Sequence, residues 1–340
     1  DLLRRDEDRY AEQPFYACIL DEAQAIKNHT TQKYKAVCQV RSQVRFALTG
    51  TPVENRLGEL WSIFSFLMPG YLPPYKNFCA RFEKPIVQEE DANAVRRLNQ
   101  LTGPFILRRM KADVLRELPP KTENVHRIEL DTEQRKLYLA AVVDAREKLR
   151  AAKPEDKMAV FAVLMRLRQI CCDPRLVADN WSGGSAKLDA CMELVTAAVE
   201  GGHRILLFSQ FTSMLDLLAQ RLDEAGVSHF TLQGSTPKPV RAELVRRFNA
   251  GEASVFLISL RAGGTGLNLT AADIVIHYDP WWNVAAQNQA TDRAYRIGQK
   301  NPVQVYKLIA QDTIEEKIVE LQQAKQSLAD TVTGSADGAI

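Results

Sequence analysis

Residues 257–299 decide the fold of this chain and read LISLRAGGTGLNLTAADIVIHYDPWWNVAAQNQATDRAYRIGQ. An apolar run ends at Ser259, a glycine-rich segment follows at 263–266, and a second β-branched run occupies 273–277. Short apolar runs at this spacing predict two strands of a parallel sheet, with a glycine turn after the first.

Three polar side chains further along predict a phosphate-binding face. Gln289, Arg293 and Arg296 are spaced by four and three residues, so on a helix they would share one face. Guanidinium groups pair bidentately with phosphate oxygens, so this face beside a glycine turn suits a polyphosphate. Taken singly, each feature is weaker evidence for phosphate binding, because a glycine cluster is more often a tight turn and arginines on a helix are usually solvated.

Composition limits the class of protein. The 340 residues are 46% hydrophobic, which suffices for two domains with real cores. A net charge of +2 gives no argument for nucleic-acid binding, which must come from local features. Six cysteines without a C-x-x-C pair indicate buried thiols in a reducing compartment and not disulfides or zinc. We find no bilayer-length apolar stretch and no signal peptide, and expect a soluble, intracellular protein without a membrane partner.

The second half of the chain alternates between strand and helix patterns. Strands are predicted at 204–208, 229–232, 255–259, 273–277 and 303–309, and the helices between them include 212–225 and 239–249. This alternation predicts an α/β fold with a parallel sheet flanked by helices. Further helices are predicted at 132–150, 158–170, 185–200 and 313–326.

The first half contains two strand patterns that end in chemically suggestive turns. The run FYACIL, 15–20, has the pattern of a buried strand and leads directly into Asp21 and Glu22, at the end of a strand where α/β sheets bind ligands. One carboxylate could hold Mg²⁺ through water while the second activates a water molecule, although an isolated Asp-Glu pair is more often an acidic helix start. A second strand, 44–48, ends in a Thr-Gly-Thr-Pro turn, and a helical protrusion is expected over 70–105.

Taken together, these motifs resemble a known family. The 43-residue string closely resembles motifs five and six of the SWI/SNF-like ATPases, the double-stranded DNA translocases of helicase superfamily two. DEAQ-AIKN resembles their motif two, LTGTP motif three and ILLFSQF motif four, and the segments 105–121 and 165–177 are similar as well. The resemblance covers nearly all of the chain.

The resemblance implies a domain organisation and an activity. We expect part of a first RecA-like lobe at 1–110, an interlobe linker at 111–125, a complete second RecA-like lobe at 126–325 and a disordered tail at 326–340, with helical insertions. The family uses ATP and Mg²⁺ and acts on double-stranded DNA, coupling hydrolysis to movement along DNA and to remodelling of protein–DNA complexes. Candidate protein partners are DNA-bound proteins such as RNA polymerase or nucleoid proteins, in the cytoplasm of a prokaryote or in a eukaryotic nucleus.

Roles carry over to matching residues. Asp21 would hold Mg²⁺ through water, Glu22 would activate the attacking water, Arg293 and Arg296 would act as arginine fingers, and Gln289 would help set the closed geometry. The residues expected to bind ATP or couple its hydrolysis are Gln24, Thr49, Gly50, Thr51, Gly264 and Gly266. The residues expected to contact DNA are Ser209, Gln210, Thr236, Arg261 and Thr265.

The sequence contains no G-x-x-x-x-G-K-[ST] phosphate loop, which in this family lies upstream of DEAQ. We therefore expect this chain alone not to hydrolyse ATP detectably, and expect its first lobe to expose sheet edge and apolar surface. Two alternatives stay open: a non-catalytic DNA-binding or regulatory remnant of such a motor, and a strand-separating helicase. The second is disfavoured because the ending RIGQ matches the translocase group and not the RxGR of unwinding helicases.

Overall fold

The computed structural model describes residues 2–50, 56–109, 114–115, 117–151, 156–263 and 266–333, of which 151, 261 and 328–333 as backbone only. The chain divides into two compact units: Asp1–Arg109 with Gln323–Ile340, and Met110–Gln322. No helix in the described ranges is long and apolar enough to cross a membrane.

The first unit has a parallel strand pair in its described part. Strand β1 (Phe15–Leu20) pairs with β2 (Ser42–Ala47). Its helices are α1 (Leu2–Arg5), α2 (Glu7–Glu12), α3 (Gln32–Gln39), α4 (Leu57–Leu67), α5 (Tyr75–Phe78), α6 (Lys84–Gln88) and α7 (Ala92–Thr102), with 3-10 turns at Ala23–Ile26 and Gly103–Phe105 and a π turn at Cys79–Glu83. The helices α5–α7 confirm the helical segment expected over 70–105.

The strand predictions here are confirmed, but the burial expected for β1 is wrong. Tyr16 is 76% exposed and Ile19 62%, and Phe46 on β2 is 54% exposed. The reason is that these side chains point out of the plane of the sheet and, among the described residues, no element packs closely over them. This exposed apolar surface is the one expected for the first lobe.

Packing in the first unit centres on α4. Leu57, Leu60 and Phe64 are buried in one cluster with apolar residues of the helical segment that follows, such as Phe78 and Leu98. Helix α4 is tied to β2 by Arg45, whose Nη1 donates to the carbonyl of Phe66 at 2.7 Å. Thr51 lies outside the described residues.

The second unit is built on a six-stranded parallel sheet. Its strands are β3 (Lys121–Ile128), β4 (Ile205–Ser209), β5 (His229–Leu232), β6 (Val255–Ser259), β7 (Ile274–His277) and β8 (Val303–Ala310), in the order β3-β8-β7-β4-β6-β5. Its helices are α8 (Thr132–Ala151), α9 (Lys157–Cys172), α10 (Ala186–Glu200), α11 (Thr212–Glu224), α12 (Lys238–Ala250), α13 (Leu260–Gly263) and α14 (Val284–Thr291), with a 3-10 turn at Pro174–Leu176. Helix α15 (Ile314–Thr333) begins in this unit, and its residues from Gln323 onward belong to the first unit.

The central strands are apolar on both faces because helices cover both sides of the sheet. Along β4, Ile205 and Leu207 enter a core formed with α10 and α11, whereas Leu206 and Phe208 enter a second core with Phe248 of α12. Continuous apolar runs are typical of such doubly covered parallel strands. The fold class is therefore α/β, with parallel sheets flanked by helices.

Two boundaries differ from expectation. Strand β3 begins at Lys121, inside the segment expected to be a linker, because its residues pair with β8 from Val303 onward. Helix α15 continues to Thr333 through most of the segment expected to be a disordered tail; residues 334–340 lie outside the described ranges.

Candidate active site and nucleic-acid interface

The carboxylates of Asp21 and Glu22 lie at the carboxyl end of β1, and both residues are exposed. Glu22 has a φ of 51°, a left-handed conformation that is uncommon for a residue other than glycine. The Glu22 N–H donates to Asp21 Oδ1 at 2.9 Å. The turn therefore holds the two carboxylates in a fixed, strained backbone setting.

A chain of hydrogen bonds links Glu22 to the LTGTP segment. Gln24 Nε2 donates to Glu22 Oε2 at 2.6 Å, and Thr49 Oγ1 donates to Gln24 Oε1 at 2.8 Å. Gly50 follows Thr49 at an exposed position where an added Cβ would meet nothing within 4 Å. The structure thus brings Gln24 and Thr49, which were expected to bind ATP or couple its hydrolysis, together with Glu22, the predicted base.

Asp21 fits a role in Mg²⁺ binding. Among the described residues no donor approaches its Oδ2, so one carboxylate oxygen is available on the surface. The described residues contain no group of three or more His, Cys, Asp or Glu side chains that could hold a metal. One carboxylate with nucleotide phosphates and water is the usual Mg²⁺ environment in phosphate-transfer sites. The exposed Asp21 carboxylate therefore suits a Mg²⁺ ion bound together with a nucleotide.

The glycine segment follows β6 in the second unit. A Cβ at Gly263 would lie 3.0 Å from Phe208 Cε1, so any other residue here would require the Phe208 ring to shift by a few tenths of an ångström. Gly266 is exposed and has a φ of 33°. Gly264 and Thr265 lie outside the described residues, as does the side chain of Arg261.

The arrangement of Gln289, Arg293 and Arg296 corrects the single helical face expected from their spacing. Helix α14 ends at Thr291, so Gln289 is helical and the two arginines lie in the turns that follow. Beyond the helix, the carbonyl of Arg293 accepts the N–H of Leu269 at 3.0 Å, a tertiary bond in place of a helical one. The chain therefore leaves the helix and runs beside the glycine segment.

Both arginines nevertheless reach the glycine segment. Arg293 is 9% exposed, and its Nε donates to the carbonyl of Gly263 at 2.8 Å. The half-buried Arg296 donates from Nη1 to the carbonyl of Leu267 at 3.1 Å. We call this pair of bonds the arginine clasp. It places two guanidinium groups at the carboxyl end of β6, where sheets of this kind bind ligands.

Gln299, to which the sequence analysis gave no role, holds the end of this segment. It is buried, its Nε2 donates to the carbonyls of Ala272 and Ala294, and its Oε1 accepts the N–H groups of Lys300 and Asn301. The preceding Gly298 has a φ of 102°. Gly298 and Gln299, which end the segment 257–299, therefore fix the turn that carries Arg296.

The residues expected to contact DNA differ in their accessibility. Ser209 is fully buried, and its hydroxyl donates to Asp279 Oδ1 at 2.6 Å, so a contact between this hydroxyl and DNA would require the bond to open. Gln210 is half-buried, and its N–H donates to the same oxygen at 3.2 Å. Thr236 is half-buried, and its hydroxyl accepts the N–H of Gln233 at 3.1 Å.

The structure adds Arg168 and Asp279, two residues that the sequence analysis did not single out. Both are fully buried, and Arg168 Nη2 lies 3.5 Å from Asp279 Oδ2. The sequence offered one signal for each, since Arg168 lies in the family-like segment 165–177 and Asp279 in the segment quoted first. A charged residue in a helix or turn is usually solvated, so neither position pointed to burial.

Comparison with known proteins extends these observations. The family model described as SNF2-related domain matches residues 1–176, and that described as Helicase conserved C-terminal domain matches residues 186–298. The chain is 40% identical over 332 residues to an "Uncharacterized ATP-dependent helicase" of Mycoplasma pneumoniae, covering 96% of this chain and 32% of the relative. It is 38% identical over 323 residues to the SWI/SNF-related matrix-associated actin-dependent regulator of chromatin subfamily A member 1 of Mus musculus, covering 91% of this chain and 31% of the relative.

The chain is also similar to a solved structure of this kind of protein. The chain is similar to the Sulfolobus solfataricus SWI2/SNF2 ATPase core in complex with dsDNA, with a TM-score of 0.55 and 35% identity over 99% of this chain and 74% of that one. The chain spans about a third of the length of the curated relatives it matches.

Proposed function

Since the chain belongs to the SWI/SNF-like ATPases of helicase superfamily two, we propose that it works as part of a motor that couples ATP hydrolysis to movement along double-stranded DNA. The observation that carries the proposal is the arginine clasp, because two guanidinium groups beside a glycine segment suit a nucleotide polyphosphate. The named relatives are helicases and ATPases, which supports ATP as the substrate.

The carboxylates of Asp21 and Glu22 prepare the hydrolysis step. Asp21 would hold Mg²⁺, which when bound neutralises phosphate charge and orients the nucleotide. Glu22 accepts a proton from the attacking water and orients it toward the γ-phosphate. The bond from Gln24 to Glu22 fixes the orientation of this carboxylate, and Thr49 in turn fixes Gln24. A change at the LTGTP segment would therefore alter the position of the base.

Arg293 and Arg296 stabilise the charge that develops on the γ-phosphate. Arginine fingers contribute about 10³ to 10⁵ in rate in related phosphoryl-transfer enzymes. Each guanidinium has five N–H donors, and the clasp bond in each case uses one of them to fix the side chain. Gln289, on the preceding helix, would help to set the geometry in which both fingers act.

The DNA is held through its phosphates and not through its bases. Gln210, Thr236, Arg261 and Thr265 are the residues we assign to this contact, with Ser209 contributing once its bond to Asp279 opens. Repeated cycles of binding and hydrolysis would then step the motor along duplex DNA and displace or move the proteins bound to it.

The 340 residues contain no phosphate loop, and we propose that ATP turnover requires one. The same observation supports a second candidate function, a DNA-binding or regulatory module without catalysis. The retention of Asp21, Glu22, Arg293 and Arg296 favours the motor, because a purely DNA-binding module has no use for this set.

ATP turnover with and without duplex DNA tests the proposal. We would compare this chain with a version extended upstream to include a phosphate loop, and with Arg296→Ala in the extended version. We expect turnover only in the extended version, stimulated by DNA, and a loss of about 10³-fold or more in kcat on substitution. Arg135→Ala in the extended version is the control. It removes an arginine of α8 whose exposed side chain pairs with Asp312, and it should leave ATP turnover unchanged.

The other results have clear meanings. Turnover by the 340-residue chain itself would contradict the requirement for a phosphate loop. An extended version that binds DNA without hydrolysing ATP would favour the non-catalytic module.

A further inference from the structure

Asn249 lies next to the carboxyl end of α12, in a part of the helix that its neighbours hold in place. The preceding residue, Phe248, is fully buried in the core of the second unit. Arg247 lies over the ring of Phe230, with its guanidinium carbon 4.8 Å from the ring centroid. Gly251 has a φ of 94° and ends the helix. The backbone of Asn249 is therefore well anchored, although its side chain is exposed.

The Asn249 amide bonds to a segment of backbone that is distant in sequence. Its Nδ2 donates to the carbonyl of Asn268 at 2.8 Å, and its Oδ1 accepts the N–H of Ala271 over a longer distance, 3.4 Å. A primary amide offers a donor and an acceptor side by side, so it can hold a carbonyl and an N–H of one segment at once. Alanine favours a helix more than asparagine does, so helix propensity gives no reason for an asparagine here.

The segment that this amide holds, 267–272, is the one that the two arginines contact, and we call it the clasp segment. The carbonyl of Leu267 accepts Nη1 of Arg296, and the N–H of Leu269 donates to the carbonyl of Arg293. Both leucine side chains are buried. The clasp segment is therefore held on one side by the arginines and on the other by α12.

From these contacts we infer that Asn249 is a positioning residue for the arginine clasp: its amide holds the clasp segment to α12, so that the carbonyl that fixes Arg296 keeps its place. The inference rests on the proposed function, in which Arg293 and Arg296 stabilise charge on the γ-phosphate. Without the amide, the clasp segment could move and the guanidinium groups with it. A displacement on the order of 1 Å at a catalytic group can lower the rate about 10²-fold.

ATP turnover at saturating duplex DNA, in the version extended to include a phosphate loop, gives the first test. We expect Asn249→Ala to lower kcat at least about tenfold and to leave the KM for ATP unchanged, since the fingers act on charge that develops in the transition state. The urea midpoint should change little, because alanine favours the helix. Asn180→Ala removes an exposed asparagine elsewhere in the second unit and is the matched control, with kcat and urea midpoint both unchanged.

Asn249→Asp tests the shorter of the two bonds. Aspartate has nearly the same shape and keeps an acceptor for the N–H of Ala271, but it cannot donate to the carbonyl of Asn268. We expect kcat to fall at least as far as in Asn249→Ala. Normal turnover by Asn249→Asp would overturn the inference.

Amide hydrogen exchange in the 340-residue chain tests the geometry without ATP. The N–H of Leu269 bonds to the carbonyl of Arg293 and not to Asn249, so its exchange shows whether the loss of the amide reaches the clasp. We expect this N–H to exchange about tenfold faster in Asn249→Ala than in Asn180→Ala, measured by NMR on protein with labelled leucine, as for the loss of one hydrogen bond. An unchanged rate would contradict a positioning role.

Two further results would overturn the inference. A lower urea midpoint with normal kcat in Asn249→Ala would make Asn249 a merely structural residue. Weaker binding of a fluorescent duplex with normal kcat at saturating DNA would make its exposed amide a direct DNA contact. If the unsubstituted extended version does not hydrolyse ATP, the proposed function fails and the role of Asn249 fails with it. If that version hydrolyses ATP and Asn249→Ala does so equally well, the inference alone fails.

Discussion

Acid should destabilise the second unit through His277, the last residue of β7. The imidazole is 1% exposed, its Nε2 lies 2.8 Å from Thr291 Oγ1, and its ring stacks on Phe208 with centroids 5.6 Å apart. Burial, with a smaller contribution from the Lys307 charge, lowers the pKa of His277 to about 3. The folded protein therefore keeps this histidine neutral at pH values where an exposed histidine is charged.

The size and sign of the effect follow from linkage. The pKa of His277 is about 3 in the folded state and about 6.5 in the unfolded chain, so as the pH falls the unfolded chain takes up the proton first. Above about pH 7 the buried His277 does not lower the free energy of unfolding, and the loss that it causes grows as the pH falls toward 3. At pH 5 it is about 2 kcal/mol of unfolding free energy.

Urea unfolding at about pH 7.5 and about pH 5, with His277→Gln as the perturbation, measures this cost. Glutamine places an amide near Nε2, so the contact with Thr291 is retained while the titrating group is removed. Trp181, Trp281 and Trp282 report on the second unit by fluorescence. We expect the unsubstituted chain to lose about 2 kcal/mol more than His277→Gln on acidification.

His126→Gln, at an exposed position on β3, is the control and should lose as much stability on acidification as the unsubstituted chain. The reasoning is refuted if His277→Gln loses as much stability as the unsubstituted chain. It is equally refuted if the His277 ring proton shifts in NMR spectra of the folded protein between about pH 7.5 and about pH 5, since a group with a pKa near 3 stays neutral there.

Two further predictions concern a buried ion pair in the second unit and the hydrogen bond between Thr49 and Gln24 in the first. Lys187 and Glu315 form a fully buried ion pair, so Lys187→Met should cost about 3 to 5 kcal/mol in urea unfolding, and adding Glu315→Gln should recover part of it by removing the unpaired charge. A double variant no more stable than the single one would contradict this. Thr49→Val removes the bond from the half-buried Thr49 to Gln24. In the version extended to include a phosphate loop we expect a lower kcat, an unchanged KM for ATP and unchanged DNA affinity, measured by steady-state kinetics and anisotropy.

The strands of the second sheet could be predicted from sequence because their apolar runs report burial directly. The predicted bounds of β5 and β6 agree with the structure, whereas β4 is shifted by one residue at both ends and β7 begins one residue later than predicted. Strands β4, β6 and β7 are buried along their whole length, and β5 at the edge of the sheet is half-buried except at Leu232, so nothing in the tertiary structure opposes the local pattern. Where the covering elements are lacking among the described residues, as at β1, the same kind of run predicted the strand correctly and its burial wrongly.

The candidate site was predictable in its residue types and not in its geometry. Spacing alone placed Gln289, Arg293 and Arg296 on one helical face, but the helix ends at Thr291, and the Arg293 carbonyl bonds to Leu269, more than twenty residues earlier. The side chain of Arg293 reaches the carbonyl of Gly263. Periodicity describes only a helix itself, so contacts with a distant segment lie beyond such a pattern.

The buried charges explain why the segment 165–177 matters although it offers no phosphate chemistry of its own. Arg168 holds the turns after β4 and β7, and the carbonyl of Cys172 accepts the hydroxyl of the buried Tyr278. Replacing a buried ion pair by apolar residues is often neutral or even stabilising, so stability alone gives no reason to bury a charge here. A cation that makes bonds in several directions can instead fix two turns relative to one helix, which apolar packing does with less specificity. The polar groups of this segment are therefore best explained by the geometry they impose on the turns after β4 and β7.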